Sequence, residues 1–159
     1  MKTEKINSHW LNKPKGGTNL YFAYGSSINQ EQMAFKCSDA STAALAYVRN
    51  SKSVINSSGV ATIIPASGLV ERGILRRISK SDEDELDIYE GVYSNLYTKE
   101  ICVVSVGNED VDSLLYIATN SEFGNPWENY LEIIIDGIRS FHGDKEWLDE
   151  VQSWIGFLR

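Results

Sequence analysis

Two short stretches of this chain hold the residue types that proton transfer and oxyanion binding require. The first is Leu86-Asp87-Ile88-Tyr89-Glu90-Gly91-Val92-Tyr93. Glu90 stands directly before a glycine suited to end a helix, which sets its carboxylate at the negative end of a helix dipole. Partial burial beside Tyr89 and Tyr93 raises a carboxyl pKa further, and both influences favour a group that takes and returns a proton near neutral pH. By spacing alone, Glu90 fits better as one more member of a solvated acidic face with Glu83, Glu85 and Asp87. The second stretch is Asn19-Leu20-Tyr21-Phe22-Ala23-Tyr24-Gly25-Ser26-Ser27. It reads as a buried strand that breaks at a glycine and runs into a helix. Such a turn presents free N–H groups at the positive end of the helix dipole, so a carboxylate or carbonyl oxygen can be held there without any Lys or Arg.

Other chemistries find less support. Ser26 sits on a strand-to-helix turn, as a hydrolase nucleophile does, but the second glycine of G-x-S-x-G is missing. The two histidines, His9 and His142, have no triad context. No His/Cys/Asp/Glu cluster has metal-ligand spacing, and no glycine-rich loop leads to a lysine, so neither a metal nor a nucleotide cofactor is expected. Cys37 and Cys102 read as two reduced thiols in or near the core.

The elements that must carry these groups follow from periodicity. Ser27 and Gln30 have the S-x-x-Q spacing of a capping box, which predicts a helix from Ser27 to about Cys37. Strands are predicted over 42–48, 60–65 and 70–78, with turn-rich segments at 50–53, 56–59 and 66–68. Ser81 is expected to cap an acidic helix ending at Glu90, with Leu86 and Tyr89 facing the core together. Strands over 95–106 and 111–118 flank a hairpin-like turn at 107–110. Helical spacing returns over 127–141 and 145–157. Tyr130, at the start of the former, reads as a core aromatic from sequence alone. The order of elements argues for an α+β fold.

The chain has 159 residues, 42% of them apolar, which suits one domain with a sizeable core. Residues 1–18 read as a polar tail and residues 19–159 as a single domain. A net charge of −7 argues against nucleic acid and anionic membranes as partners. No apolar h-region and no membrane-length run is seen, so a cytoplasmic protein is expected. The chain is compatible with a homodimer.

Taken together, Leu20 to Ser26, Gly59 to Ile64 and Leu86 to Tyr93 resemble the gamma-glutamylcyclotransferase (AIG2-like) family. That family has a tyrosine-glycine-serine-asparagine turn after its first strand and a catalytic glutamate in a leucine-aspartate-x-x-glutamate-glycine segment. Ser27 departs from it, standing where the family usually has asparagine. The resemblance implies a small mixed β-barrel with flanking helices. It implies Glu90 as general acid/base, with Tyr21, Phe22, Ala23, Tyr24, Gly25, Ser26 and Tyr130 contacting substrate. The implied reaction is a lyase/acyltransferase one: a γ-glutamyl amino acid or amine cyclises to 5-oxoproline, as in glutathione metabolism. The contrasting reading is a small-molecule binding or regulatory module that keeps the same pocket without turnover.

Overall fold

The computed structural model describes residues 19–154. The expected polar tail, with His9, and the end of the last helical pattern lie outside the described residues. Five strands, β1 (Leu20–Ala23), β2 (Ser41–Ile55), β3 (Ala61–Arg77), β4 (Tyr97–Val106) and β5 (Glu109–Ala118), close into a barrel in the order β1-β3-β2-β4-β5. The barrel is mixed, as expected. β1 runs antiparallel to β3, from Leu20 opposite Arg77 to Ala23 opposite Ile74, and closes the ring through a parallel pairing of Tyr21 with Leu114 on β5. Four helices pack around it: α1 (Gln30–Lys36), α2 (Lys80–Tyr89), α3 (Tyr130–Ser140) and α4 (Lys145–Ser153).

The strands are longer and fewer than the sequence suggests. β2 and β3 form one hairpin that absorbs the segments read as turns at 50–53 and 66–68. A register shift between Arg49 and Ser51 lets Asn50 take a left-handed backbone, φ 57°, and its side chain accepts from the Gly68 N–H at 3.0 Å. The polar residues there mark a bulge inside a strand, where an extra residue is looped out without ending the ladder.

Helix starts also move. α1 begins at Gln30 because a 3₁₀ turn over Ser26–Ile28 comes first, and Asn29 is the cap: its Oδ1 accepts from the N–H groups of Glu31 and Gln32. Gln30, the expected partner of Ser27, instead accepts from Arg76 at 2.8 Å. α2 is capped by Ser79 rather than Ser81, in a reciprocal box with Asp82. It ends as expected, with Gly91 left-handed at φ 63°. Leu86 is buried but Tyr89 is 46% exposed, so the two do not share the core.

α3 lies against the turn that follows β1. Asn129, at its N-cap position, makes no side-chain cap. Leu131, Ile134 and Ile138 are buried along one stripe. Each contributes about 1.5–3 kcal/mol when taken out of water, more than a cap would, so packing holds this helix. The approach is close: a Cβ on Gly137 would come within 2.7 Å of the Asn29 nitrogen. Cys37 and Cys102 are both buried and free.

Candidate active site

One end of the barrel gathers the C-terminal ends of β1 and β5 and the N-terminal ends of β3 and β4. Ala118 on β5 is tied there to Thr62 on β3, whose hydroxyl accepts the Ala118 N–H at 3.0 Å. At this end opens a cavity of about 350 Å³. Its wall includes Tyr21, Tyr24, Gly25, Ser26, Glu90 and Tyr130. Six of the eight residues implicated from sequence therefore share one space. Phe22 and Ala23 do not line it. Phe22 is wholly buried and its ring fills the space over Gly73, where a Cβ would lie 2.6 Å away. Ala23 is spent on strand pairing with Ile74.

The turn is fixed from below. Arg76 is buried, and its Nη2 donates to the carbonyls of Ser27 and Ile28 at 2.8 and 3.0 Å, while Nη1 donates to Gln30 and to Thr42. Its guanidinium lies over the Phe141 ring, 5.4 Å from the centroid. A planar donor fork of this kind satisfies several carbonyls at once, which a lysine cannot do. The N–H groups of Ile28 and Asn29 are taken by the carbonyls of Gly25 and Ser26, and those of Glu31 and Gln32 by Asn29. These four N–H groups are thus satisfied within the chain and are not open to a ligand. The positive charge at the turn comes instead from Lys36, whose Nζ donates to Ser26 Oγ at 3.2 Å and to Ser27 Oγ at 2.9 Å.

Tyr130 enters from the first turn of α3. Its hydroxyl accepts the Ala61 N–H at 3.0 Å and is also engaged by the Ser26 backbone. Burial pushes its pKa up to about 12, so it stays a neutral donor with its own proton free to be given into the cavity. The opposite face of the same residue is held as well, since the Tyr97 hydroxyl donates to the Ala61 carbonyl at 2.8 Å. Gly25 suits this arrangement, because a Cβ there would lie 3.2 Å from the Tyr130 oxygen, which would have to give by a few tenths of an ångström. Tyr24 donates to the Tyr116 carbonyl at 2.5 Å.

Glu90 is the C-cap of α2, partly buried in the cavity wall. Burial raises its pKa above the ordinary carboxylate value, and the Lys36 charge pulls it part of the way back. Its own charge acts on the hydroxyls of Tyr21, Tyr24, Tyr97 and Tyr130. The acidic run before it is not a uniform solvated face. Lys99 on β4 donates to Glu83 at 2.7 Å and Asp87 at 2.9 Å, and buried Asp87 also accepts from the Tyr116 hydroxyl at 2.7 Å. These bonds pin α2 to the barrel, and the helix then delivers Glu90 to the cavity.

Sequence reading missed Lys36, Tyr97 and Trp127. Lys36 lies nine residues beyond Ser27, a separation that means nothing until the 3₁₀ turn and α1 fold the helix end back onto the turn. Trp127 falls before α3 begins, and Phe35 and Tyr89 meet edge to face at the mouth with ring centroids 6.1 Å apart.

Known proteins share this architecture. The sequence model of the AIG2-like family matches residues 72–142. Gamma-glutamylcyclotransferase of Mus musculus is 27% identical over 150 residues, spanning 87% of this chain and 80% of the relative. The Homo sapiens protein of that name is 29% identical over 131 residues, spanning 76% and 70%. A solved gamma-glutamyl cyclotransferase structure superposes with a TM-score of 0.79 at 26% identity, over 84% of this chain and 86% of the other.

Proposed function

The chain belongs to the gamma-glutamylcyclotransferase family and is an enzyme of that type, and from this premise we propose that it converts a γ-glutamyl amine or γ-glutamyl amino acid to 5-oxoproline with Glu90 as general acid/base. The observation that carries the reading is that Glu90, with its raised pKa, shares one cavity with the Gly25–Ser26 turn and the Tyr130 hydroxyl.

The reaction asks for little equipment, because the nucleophile is already part of the substrate. The α-carboxylate and γ-carbonyl lie against the Tyr24–Ser26 turn, which folds the substrate on itself and supplies proximity. Glu90, as carboxylate, takes a proton from the α-ammonium. The freed nitrogen attacks the γ-carbonyl carbon, a C–N bond forms, and the oxygen gains negative charge. Tyr130 donates a hydrogen bond to that oxygen. When the intermediate collapses, the bond to the leaving nitrogen breaks and Glu90 returns its proton there. The ring nitrogen gives its remaining extra proton to water, and the released amine takes up one from water.

The test is a panel of γ-glutamyl compounds assayed for 5-oxoproline with the wild type and Glu90→Gln. Proton-transfer help is typically worth about 10² to 10⁴ in rate, so the variant's kcat should fall by at least about 100-fold while substrate still binds. Glu85→Gln, on the exposed side of α2, should leave kcat unchanged. Near wild-type turnover by Glu90→Gln would sink the assignment. Binding of the panel with no 5-oxoproline from the wild type would favour a binding module.

A further inference from the structure

Among the described residues lining the cavity, Lys36 is the single basic side chain and Glu90 the single acidic one. Lys36 is itself partly buried, and two of its three N–H donors are committed to Ser26 Oγ and Ser27 Oγ. Ser27 is buried, and its hydroxyl is hydrogen-bonded in turn to Tyr21 at the base of the turn. The ammonium is therefore held in place from two sides with one donor left over. Each charge shifts the pKa of the other, so the two sit within electrostatic reach.

We propose that Lys36 is the residue that reads the substrate's α-carboxylate, with Ser26 and Ser27 as the groups that aim it. This rests on the cyclotransferase reading above. The head of a γ-glutamyl compound carries an ammonium and a carboxylate on one carbon. Once the ammonium is at Glu90, the carboxylate must lie beside it, and the cavity offers Lys36 as its one full positive charge. The N–H groups of Ile28, Asn29, Glu31 and Gln32 are already taken, so these four do not compete with it. Lys36 touches substrate without entering the proton transfer. The pair also explains how Ser27 works in this chain: its hydroxyl accepts from the lysine rather than capping a helix.

The test uses two compounds with the same leaving amine. One is the γ-glutamyl amide, which yields 5-oxoproline. The other is the 4-aminobutyryl amide, which lacks the α-carboxylate and yields 2-pyrrolidinone. The wild type should prefer the first in kcat/KM by about 10- to 100-fold, the range expected for one hydrogen-bonded charge. Lys36→Gln keeps a donor for the serines but no charge. It should lose most of that preference by slowing the γ-glutamyl compound alone, and Lys36→Arg should restore it. Lys36→Gln should also move the acidic limb of the pH–rate profile to higher pH, because Glu90 loses a stabilising positive neighbour. Equal slowing of both compounds, or an unmoved acidic limb, would overturn the proposal and leave Lys36 a tether between α1 and the turn. If the wild type forms no lactam from either compound, the cyclotransferase reading fails instead. Calorimetric binding of the same pair then decides the role of Lys36: equal affinities of the wild type overturn it, and a Lys36-dependent preference for the carboxylate upholds it.

Discussion

At the scale of single residues, proton state and clearance govern the site. Burial raises the Glu90 pKa, so its active carboxylate form is gained later on the pH axis than for a free side chain. The expected kcat/KM therefore climbs with pH through an apparent pKa above 4.5, and that limb should be absent from any residual activity of Glu90→Gln. Gly25 is a matter of space. A valine there crowds the Tyr130 oxygen, which would lie 3.2 Å from the new Cβ, and shifts it against its bond from the Ala61 N–H. Gly25→Val should raise KM and lower kcat together while the melting temperature changes little, and unchanged kinetics in a folded variant would refute the clearance argument. Glu90, Gly25 and Ser26 are legible in the sequence because each stands in a short, local pattern. Lys36 and Tyr97 are not: Lys36 meets the two serines only once α1 folds its end back onto the turn, and Tyr97 reaches Ala61 from a separate strand.

Secondary-structure elements show where local signals compete. The S-x-x-Q spacing at Ser27 and Gln30 is a genuine capping pattern, yet Asn29 wins the cap because the chain first makes a 3₁₀ turn whose carbonyls Arg76 binds. Asn29 also links two elements, donating from Nδ2 to the Ile133 carbonyl of α3 at 3.0 Å. Asn29→Ala should therefore cost more than the typical ~1 kcal/mol of a lost cap, measured by denaturant unfolding, and Ser27→Ala should cost less. The reverse ranking would restore Ser27 as the cap. The apolar stripes of α3 and α4 and the tight turn at Gly107 are readable, since period and glycine chemistry dominate there. The long β2–β3 hairpin is not, because Asn50 and Gly68 mark a bulge and look like chain reversals.

Across the whole molecule, α4 docks on the barrel over a buried acid. Glu71 is 1% exposed, and its carboxyl accepts the N–H groups of Ser53 and Arg72. Burial, and Glu150 facing it from α4, hold its pKa well above the ordinary value. Lys52, Arg72 and Glu146 complete the charged surroundings. For such a group the folded state binds more protons than the unfolded state. Stability is then greatest below the unfolded pKa and declines as pH rises from there toward the folded value. The melting temperature should fall on the alkaline side of pH 4.5, and Glu150→Gln should flatten that fall. A melting temperature indifferent to pH in this range would show the pair does not couple to folding. Nothing in the sequence announces it, because Glu71 and Glu150 meet only when the last helix returns to the third strand.

The hold on Ala61 from both sides has a spectroscopic consequence. Its amide proton goes to the Tyr130 hydroxyl rather than to a strand partner, and its carbonyl to Tyr97. Any ligand oxygen that takes the Tyr130 proton polarises that hydroxyl and makes its oxygen a stronger acceptor. In a nitrogen-15 spectrum the Ala61 amide should therefore move downfield and exchange more slowly with solvent as the cavity fills. A single backbone resonance, on a residue that does no chemistry, becomes a built-in gauge of occupancy by which candidate substrates are ranked before any turnover is seen.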